Sequence, residues 1–352
     1  MHYNILNLTN KIKWSDYLMK LPLDQQDIYF SPEYYQLYEQ NGDGKAHCFV
    51  FEKDGELALY PFLINSVNEL GYVLDGEYFD IQGAYGYNGI VSSSYEEDFI
   101  SDFYVQFNEY CKSKKIIAEF TRFHTIINNH LFSENNMDIL FDRKTVYLDI
   151  SNTLENIWTN SYSSKNRNMI RKALKNNIEI IVSNEKDDYL KFYEIYVKTM
   201  KNVGSEKYLF FNEKYFLNFI KYLPDKHHLI IAKLGDEYIG GMILMTMSKF
   251  AHYHLSARKT EYGNLALNNL FLDYAVKLAK DKNCLFFHFG GGASYTSNDS
   301  LFKFKANFSK LTADFYIGKK VHNIEIYNEV IEHWKQKTIN LDDNKLLRYR
   351  KI

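Results

Sequence analysis

The chain has 352 residues, of which 46% are apolar and 24% are charged, and its formal net charge is −2. The length predicts two or three domains, and the composition excludes a fully disordered chain, a collagen-like chain and a small disulfide-stapled scaffold. The nearly balanced charge argues against a protein that coats DNA, so we expect no DNA partner. No stretch approaches 18 uncharged apolar residues and no signal peptide is evident, so we expect a cytoplasmic protein without a membrane span.

In chain order, the first half predicts a hairpin followed by strands and helices. The hairpin covers 46–65, with its turn at Asp54-Gly55. Residues 77–94 are rich in Gly, Tyr and Ser, which predicts a strand and a loop. Apolar spacing predicts a helix over 95–113, a strand over 116–123 and a second helix over 124–132.

The second half predicts the same alternation of strands and helices. Strands are expected over 145–150, 178–183, 228–234, 238–247, 249–257, 284–289 and 311–317. Helices are expected over 153–176, 186–203, 212–222, 264–281, 299–308 and 323–337.

The two halves have similar sequences at corresponding places. HCFVFEKDGELALYPFLI aligns with HLIIAKLGDEYIGGMILM, and each is followed by an amphipathic helix, a Lys-rich turn and a short apolar strand. We therefore predict a duplicated α/β domain, a mixed sheet with helices on both faces. The expected domains are 1–144 and 145–320, with 321–352 forming a helix and tail that pack back on them.

The three cysteines, Cys48, Cys111 and Cys284, are far apart and form no CxxC pair. This pattern fits a reducing compartment and argues against both a disulfide framework and a zinc site. The sequence also contains no Ser-His-Asp order and no His/Glu spacing typical of a metal site. Neither a metal nor a tightly bound cofactor is predicted.

Three segments together resemble a known family. They are the basic helix and strand SKNRNMIRKALKNNIEI (164–180), the strand CLFFHFGGG (284–292) with DSLFKFKANF (299–308), and FDIQGAYGYNG (79–89). The second half resembles the GNAT acyltransferase fold, and its doubling resembles the FemAB group of peptidoglycan-bridge aminoacyltransferases. The resemblance implies two tandem GNAT-like domains with a long cleft between them.

This resemblance also implies an activity, the transfer of an acyl or aminoacyl group to a primary amine. The donor would be acyl-CoA or aminoacyl-tRNA, with tRNA then a partner. The acceptor would be a small molecule or cell-envelope precursor, such as an amino sugar or peptidoglycan peptide. The protein would work in the bacterial cytoplasm as a monomer or homodimer. GNAT proteins bind the CoA pyrophosphate with a Q/R-x-x-G-x-G/A turn, whereas RKTEYGNLA (258–266) offers only Gly263, so the choice of donor stays open.

The basic helix provides the first candidate residues. Arg167, Arg171 and Lys175 are four residues apart and share one helix face. A guanidinium binds phosphate or carboxylate through two hydrogen bonds, as a phosphorylated acceptor, CoA or a tRNA end would require. Arg167 and Arg171 are therefore candidate donor- or substrate-binding residues, and a solvated helix face is the alternative.

The glycine run and the helix after it provide the next candidates. Gly290, Gly291 and Gly292 would let the backbone approach a ligand closely, although a plain turn is the alternative. Lys303 and Lys305 point in different directions, and the family resemblance favours Lys305 as the catalytic cation that stabilises an oxyanion or holds a phosphate. A surface lysine is the alternative for this position.

Two further groups complete the candidate site. His254 is a candidate general base on a predicted strand, where alternation places the binding candidate Tyr253 on the opposite face. Tyr85, Tyr87 and Asp80 lie in the first-domain loop, where aromatic rings suit stacking and a carboxylate suits an amine or hydroxyl. Core packing is the alternative role for each of these residues.

Two other classes of function remain open. The first is a catalytically inactive FemAB-like protein that binds a saccharide or nucleotide sugar in the same pocket. The second is an RNA-binding module that uses residues 165–175. Labelled-donor turnover separates the enzyme from the first, and salt-dependent binding that requires Arg167 and Arg171 would identify the second.

Overall fold

The computed structural model describes residues 2–294, 296, 298–337 and 346–350, and it divides the chain into two compact units. The first unit comprises Met1–Asp142 and Phe315–Ile352, and the second comprises Arg143–Asp314. The domain boundaries expected from the sequence were 144/145 and 320/321. The observed boundaries, 142/143 and 314/315, each fall inside a strand. The segment that begins at Phe315 belongs to the first unit. Part of the predicted segment 321–352 lies outside the described residues.

The strands are β1 (His2–Asn7), β2 (Lys45–Lys53), β3 (Glu56–Ser66), β4 (Phe79–Gln82), β5 (Val91–Ser92), β6 (Ile116–Arg122), β7 (Asp138–Asp149), β8 (Glu179–Ser183), β9 (His227–Leu234), β10 (Glu237–Met247), β11 (Phe250–Arg258), β12 (Phe286–Gly291) and β13 (Thr312–Val321). The α-helices are α1 (Lys11–Lys20), α2 (Pro32–Asn41), α3 (Glu97–Ser113), α4 (Leu154–Asn156), α5 (Ser164–Leu174), α6 (Lys186–Asn202), α7 (Glu213–Tyr222), α8 (Leu267–Asp281), α9 (Ser300–Lys305) and α10 (Ile324–Lys337).

The sheet of the first unit has the order β1-β2-β3-β4-β6-β13, with β5 also paired to β3. The β4–β6 pair is parallel and the others are antiparallel. Alternating residues of β2 place Phe49 against Phe103 and Phe107 of α3. Helix α10 packs near Ile117 in a separate apolar cluster. Helices therefore cover this sheet, as predicted.

The sheet of the second unit has the order β7-β12-β11-β10-β9-β8. Only the β11–β12 pair of these strands is parallel. Met242 and Leu244 of β10 share a buried cluster with Phe271 of α8. A side chain at Gly241 would meet Phe192 of α6, so α6 and α8 cover opposite faces. The predicted mixed α/β architecture is confirmed.

Two predicted helices are wrong. The helix over 153–176 is interrupted, because α4 continues into a π-helical turn at Ile157–Ser161 and Tyr162 is extended. Ser163 then starts α5 by accepting a hydrogen bond from the Asn166 N–H. The helix over 124–132 is replaced by a short 3₁₀ turn at Asn129–Ser133, with Asn128 in the left-handed region at φ 57°. Among the described helices, none is both long and apolar enough to cross a membrane.

Candidate functional site

The ladder between the parallel strands β11 and β12 ends a third of the way along β11. Phe250–His252 pair with Phe286–His288, whereas β11 runs on to Arg258 and β12 to Gly291. On its other edge, β11 stays paired with β10 as far as Arg258. Within the described part of the chain, no strand pairs with β11 on the β12 side beyond His252. The β11 backbone beyond His252 is therefore not held in the ladder with β12.

A β-bulge interrupts β11 at the same place. Ile243 pairs with Leu255 and Leu244 pairs with Tyr253, so His254 is the additional residue. A bulge turns local backbone groups out of the regular ladder, and bulges are over-represented beside active sites. The side chain of His254 was a candidate from the sequence, whereas this backbone feature was not predicted.

Lys305 lies at the end of the shortened ladder. Helix α9 carries the side chain inward, and its Nζ donates a hydrogen bond of 2.7 Å to the Gly291 carbonyl. The same Nζ is 5.4 Å from the centre of the Tyr253 ring, in a cation–π contact. Only 6% of Lys305 is exposed, whereas Lys303 is exposed and bonds Asn298. The predicted difference in direction between the two lysines is present.

Burial changes the acid–base chemistry of Lys305. Desolvation of the ammonium lowers its pKa from 10.5 to about 7, and the negative charge of Asp299 opposes this shift. At neutral pH the side chain can therefore be charged or neutral at little cost. Strongly shifted groups of this kind are concentrated at functional sites.

Asp299 organises the loop beside Lys305. It caps α9 by accepting a 2.8 Å hydrogen bond from the Phe302 N–H, and it also accepts from the backbone and hydroxyl of Ser294. Burial raises the pKa of Asp299, but these hydrogen bonds outweigh burial and the pKa is lowered. The carboxylate is therefore ionised at neutral pH and acts as a helix cap.

The three glycines have distinct roles in this geometry. Gly290 has φ +81°, and a side chain there would come within 3.2 Å of Lys305 Nζ. Gly291 supplies the carbonyl that Lys305 binds. A side chain at Gly292 would overlap Asp299. The Gly292 carbonyl accepts a hydrogen bond from the Arg143 guanidinium at 3.1 Å. The structure thus brings the glycine run, Tyr253 and Lys305 together.

His254 is not brought together with Lys305. Its Nε2 is 2.9 Å from the Tyr215 hydroxyl, and its ring packs against Phe219, both on α7. Tyr253 instead faces Lys305, so the predicted alternation of faces separates the two catalytic candidates. Burial, with a contribution from His252, lowers the pKa of His254 to about 3. A neutral, buried ring on the α7 face is poorly suited to accept a substrate proton.

The two arginines of α5 differ in their surroundings. One guanidinium nitrogen of Arg167 donates to the carbonyls of Trp158, Thr159 and Tyr162, at 2.6 to 3.2 Å. Arg167 therefore holds the π-helical turn in place, a structural contact that sequence analysis did not predict. Arg171 is exposed and lies 5.3 Å from the Trp158 ring, which lines a cavity of about 240 Å³. Arg171 is the better placed of the two for an anionic ligand.

Tyr85, Tyr87 and Asp80 all belong to the first unit. The Tyr85 carbonyl accepts from the Tyr34 hydroxyl at 2.5 Å, and Tyr87 is buried with its ring against Tyr29. Asp80 is fully buried, and it accepts hydrogen bonds from the Tyr349 hydroxyl and the Arg350 guanidinium.

These contacts give each first-unit candidate a partner within the protein. Tyr349 and Arg350 belong to the terminal segment that sequence analysis expected to pack back on the domains. The ion pair between Arg350 and the buried Asp80 shows that Asp80 anchors this segment. Ligand binding by Tyr85, Tyr87 and Asp80 stays a prediction.

Comparison with known proteins identifies the fold. Residues 162–305 match the family model described as an acetyltransferase (GNAT) domain. The crystal structure of FemX covers 94% of this chain and 99% of its own, at 14% identity and a TM-score of 0.72. L-PGS from Bacillus licheniformis matches at 13% identity and a TM-score of 0.57, covering 88% of this chain and 91% of its own.

A tandem GNAT protein from the clavulanic acid biosynthesis pathway is also similar. It matches at 7% identity and a TM-score of 0.50, covering 90% of this chain and 98% of its own. No curated protein matches this chain in sequence. At these identities the likeness concerns the fold, and the predicted resemblance to tandem GNAT and FemAB-like proteins is confirmed at that level.

Proposed function

We propose that this chain is an N-acyltransferase with its reaction centre at the end of the β11–β12 ladder. It would transfer an acyl or aminoacyl group from acyl-CoA or aminoacyl-tRNA to a primary amine of a cell-envelope precursor, an amino sugar or a peptidoglycan peptide, in the bacterial cytoplasm. The match of residues 162–305 to a GNAT domain supports the reaction class. The observation that carries the proposal is the buried Lys305 beside the end of the β11–β12 ladder, beyond which no described strand pairs with β11 on that side.

The chemistry is aminolysis of an activated carbonyl. The acceptor nitrogen attacks the thioester or ester carbon, a tetrahedral oxyanion forms, and the thiol or hydroxyl of the donor leaves. Lys305 already donates a hydrogen bond to a carbonyl oxygen, that of Gly291. In the reaction it would donate to the oxyanion, and the low-polarity surroundings strengthen this interaction.

The reaction requires no dedicated base from His254. Thioesters and esters are reactive toward free amines, and holding both reactants in line supplies much of the rate. The bulge at His254 adds backbone groups that can orient the donor carbonyl. His254 therefore acts in this proposal through its backbone position and its packing against α7.

The donor is expected to contact the basic face of α5. Arg171 is exposed there with Lys165, Lys172 and Lys175. This face suits the phosphates of either CoA or a tRNA end. The turn before α8 does not favour CoA, because Gly263 is its only glycine and Arg258 packs against it. Both donors must therefore be tested.

Transfer of label is the direct test. The purified protein would be incubated with labelled acetyl-CoA or aminoacyl-tRNA and with nucleotide-linked amino sugars or peptidoglycan peptides. We expect Lys305→Met and Arg171→Ala each to lower turnover at least tenfold, about 1.4 kcal/mol in the barrier. Lys303→Ala is the matched control and should keep wild-type turnover. Equal rates for Lys305→Met and Lys303→Ala would remove Lys305 from the mechanism.

The pH profile tests the role of Lys305 separately. Because its pKa is about 7, the cationic form is lost as the pH rises through neutrality. We expect kcat/KM of the wild type to fall off on the basic side near that pH. In Lys305→Arg the cation persists, so the basic limb should disappear. Ligand binding without turnover by any donor would instead identify an inactive saccharide-binding protein.

A further inference from the structure

We propose that Cys111, Glu119 and His322 of the first unit form a binding site for a divalent transition metal, with zinc the best match. The Cys111 thiol, a Glu119 carboxylate oxygen and a His322 ring nitrogen all lie within 4.8 Å of one another. Thiolate, carboxylate and imidazole are the three kinds of zinc ligand in proteins. The cluster shares no residue with the reaction centre proposed above, so each proposal can be tested without the other.

The fold brings these residues together from three elements. In the antiparallel β6–β13 pair, Glu119 is opposite Lys320, so Lys320 and the residue two positions on, His322, share its face. The His322 backbone N–H is fixed by a 2.8 Å hydrogen bond to the Ile117 carbonyl. Helix α3 covers this face and carries Cys111 at its last turn. The ligand positions are therefore set by rigid elements.

The site is buried and its carboxylate is incompletely satisfied. The side chains of Glu119 and His322 are 1% and 6% exposed, and Cys111 is fully buried. Glu119 Oε2 accepts from His322 Nε2 at 2.8 Å, but Oε1 is buried with no hydrogen-bond partner among the residues described. A buried carboxylate oxygen without a partner is costly, so its presence points to a ligand.

The neighbouring cation does not provide that partner. Lys320 Nζ donates to Asn108 at 2.8 Å and lies 5.5 Å from the centre of the Tyr104 ring. Its positive charge is thereby directed toward α3. A metal ion between Glu119, His322 and Cys111 would satisfy the carboxylate directly.

Charge balance favours a dication at this position. A thiolate, a carboxylate and a neutral imidazole carry two negative charges, which one Zn²⁺ neutralises. Coordination displaces the thiol proton to solvent, and the imidazole stays neutral because its single proton moves from Nε2 to Nδ1.

The separation between the His322 and Glu119 ligand atoms requires only a small adjustment. A nitrogen and an oxygen bound tetrahedrally at about 2.0 Å from one zinc lie about 3.3 Å apart, so the present 2.8 Å separation must open by roughly half an ångström. Three protein ligands leave a fourth position for water, which the slightly exposed His322 edge can admit. The thiolate disfavours Mg²⁺ and Ca²⁺, because these ions prefer oxygen ligands.

Cobalt titration of the full-length protein is the decisive experiment. Metal-free protein would be titrated with Co²⁺, which shows a thiolate-to-metal charge-transfer band in the near ultraviolet, and then with Zn²⁺ as competitor. We expect one Co²⁺ per chain, loss of the band on adding Zn²⁺, and a higher Tm with Zn²⁺. No charge-transfer band in the wild-type protein would overturn the proposal.

Variants assign the ligands. Cys111→Ser should abolish the band, and His322→Gln and Glu119→Gln should each weaken Co²⁺ binding at least tenfold. Cys48→Ser changes another buried cysteine of the first unit and should leave the band intact. If Cys111→Ser does not fold, Co²⁺ binding by His322→Gln and Glu119→Gln still tests whether these residues are metal ligands. Wild-type affinity in both, or a band that persists in Cys111→Ser, would refute the assignment.

Discussion

Replacing Lys305 with methionine is expected to make the protein more stable below neutral pH while it lowers turnover. Methionine has a similar length and fills the same space, but it carries no charge to bury. In the wild type, Lys305 is 6% exposed, and no carboxylate among the described residues forms an ion pair with its ammonium. The cost of burying that charge is what lowers its pKa to about 7.

The magnitude and sign follow from this pKa. Between pH 7 and 10 the unfolded chain binds a proton at Lys305 that the folded chain does not, so wild-type stability rises with pH in this window. From a folded pKa of about 7 and an unfolded pKa of 10.5, the Lys305 contribution changes by about 2 to 3 kcal/mol from pH 6 to pH 9. Lys305→Met lacks this contribution.

Urea unfolding of both proteins at several pH values measures the difference. The two free energies of unfolding are subtracted at each pH, because other groups titrate equally in both proteins and cancel. The variant's advantage should be largest at pH 6 and shrink toward pH 9. A difference that stays flat within about 0.5 kcal/mol would show that Lys305 keeps an ordinary pKa, and the pH argument for its catalytic role would fail.

Three further substitutions test contacts described above. Arg167→Ala should lower the free energy of unfolding by about 1–3 kcal/mol, because two carbonyls of the π-helical turn and that of Tyr162 lose their donor. Replacing the exposed Lys172 with alanine should leave Tm unchanged. Arg350→Met should lower the free energy of unfolding by roughly 3 kcal/mol, because it leaves the Asp80 carboxylate buried and poorly paired. Adding Asp80→Asn to this variant should restore part of that free energy. A further decrease in the double variant would contradict the ion pair. Gly290→Ala should lower the free energy of unfolding by about 1–2 kcal/mol, because alanine is strained in the left-handed backbone conformation of Gly290. An unchanged Tm would argue against this strain.

Sequence patterns predicted the features that local spacing encodes. Apolar periodicity gave α3, α6, α7 and α8, because each buries a continuous face. The same reasoning failed over 153–176, where apolar periodicity continues through Tyr162. There the capping hydrogen bond of Ser163 and the guanidinium of Arg167 stabilise a break. Strand β1 and helices α1 and α2 were not predicted.

In the candidate site, too, local features could be predicted from the sequence and long-range ones could not. The glycine run and the inward direction of Lys305 were predicted from residues close in sequence. The end of the β11–β12 ladder and the bulge at His254 depend on pairing between distant strands, which no local pattern reveals. The Cys111 cluster was missed for this reason, because Glu119 and His322 are 203 residues apart. Cysteine spacing argued against zinc, but spacing only detects ligands from one short segment.

The return of residues 315–352 to the first unit has a consequence for biosynthesis. The ribosome releases the second unit as a complete stretch, whereas the nascent first unit still lacks β13 beside β6 and the arginine that pairs with Asp80. Until β13 has been translated, β6 presents an open edge that can join another strand. We therefore expect the second unit to fold first and the amino-terminal half to depend on chaperone protection until β13 and Arg350 emerge.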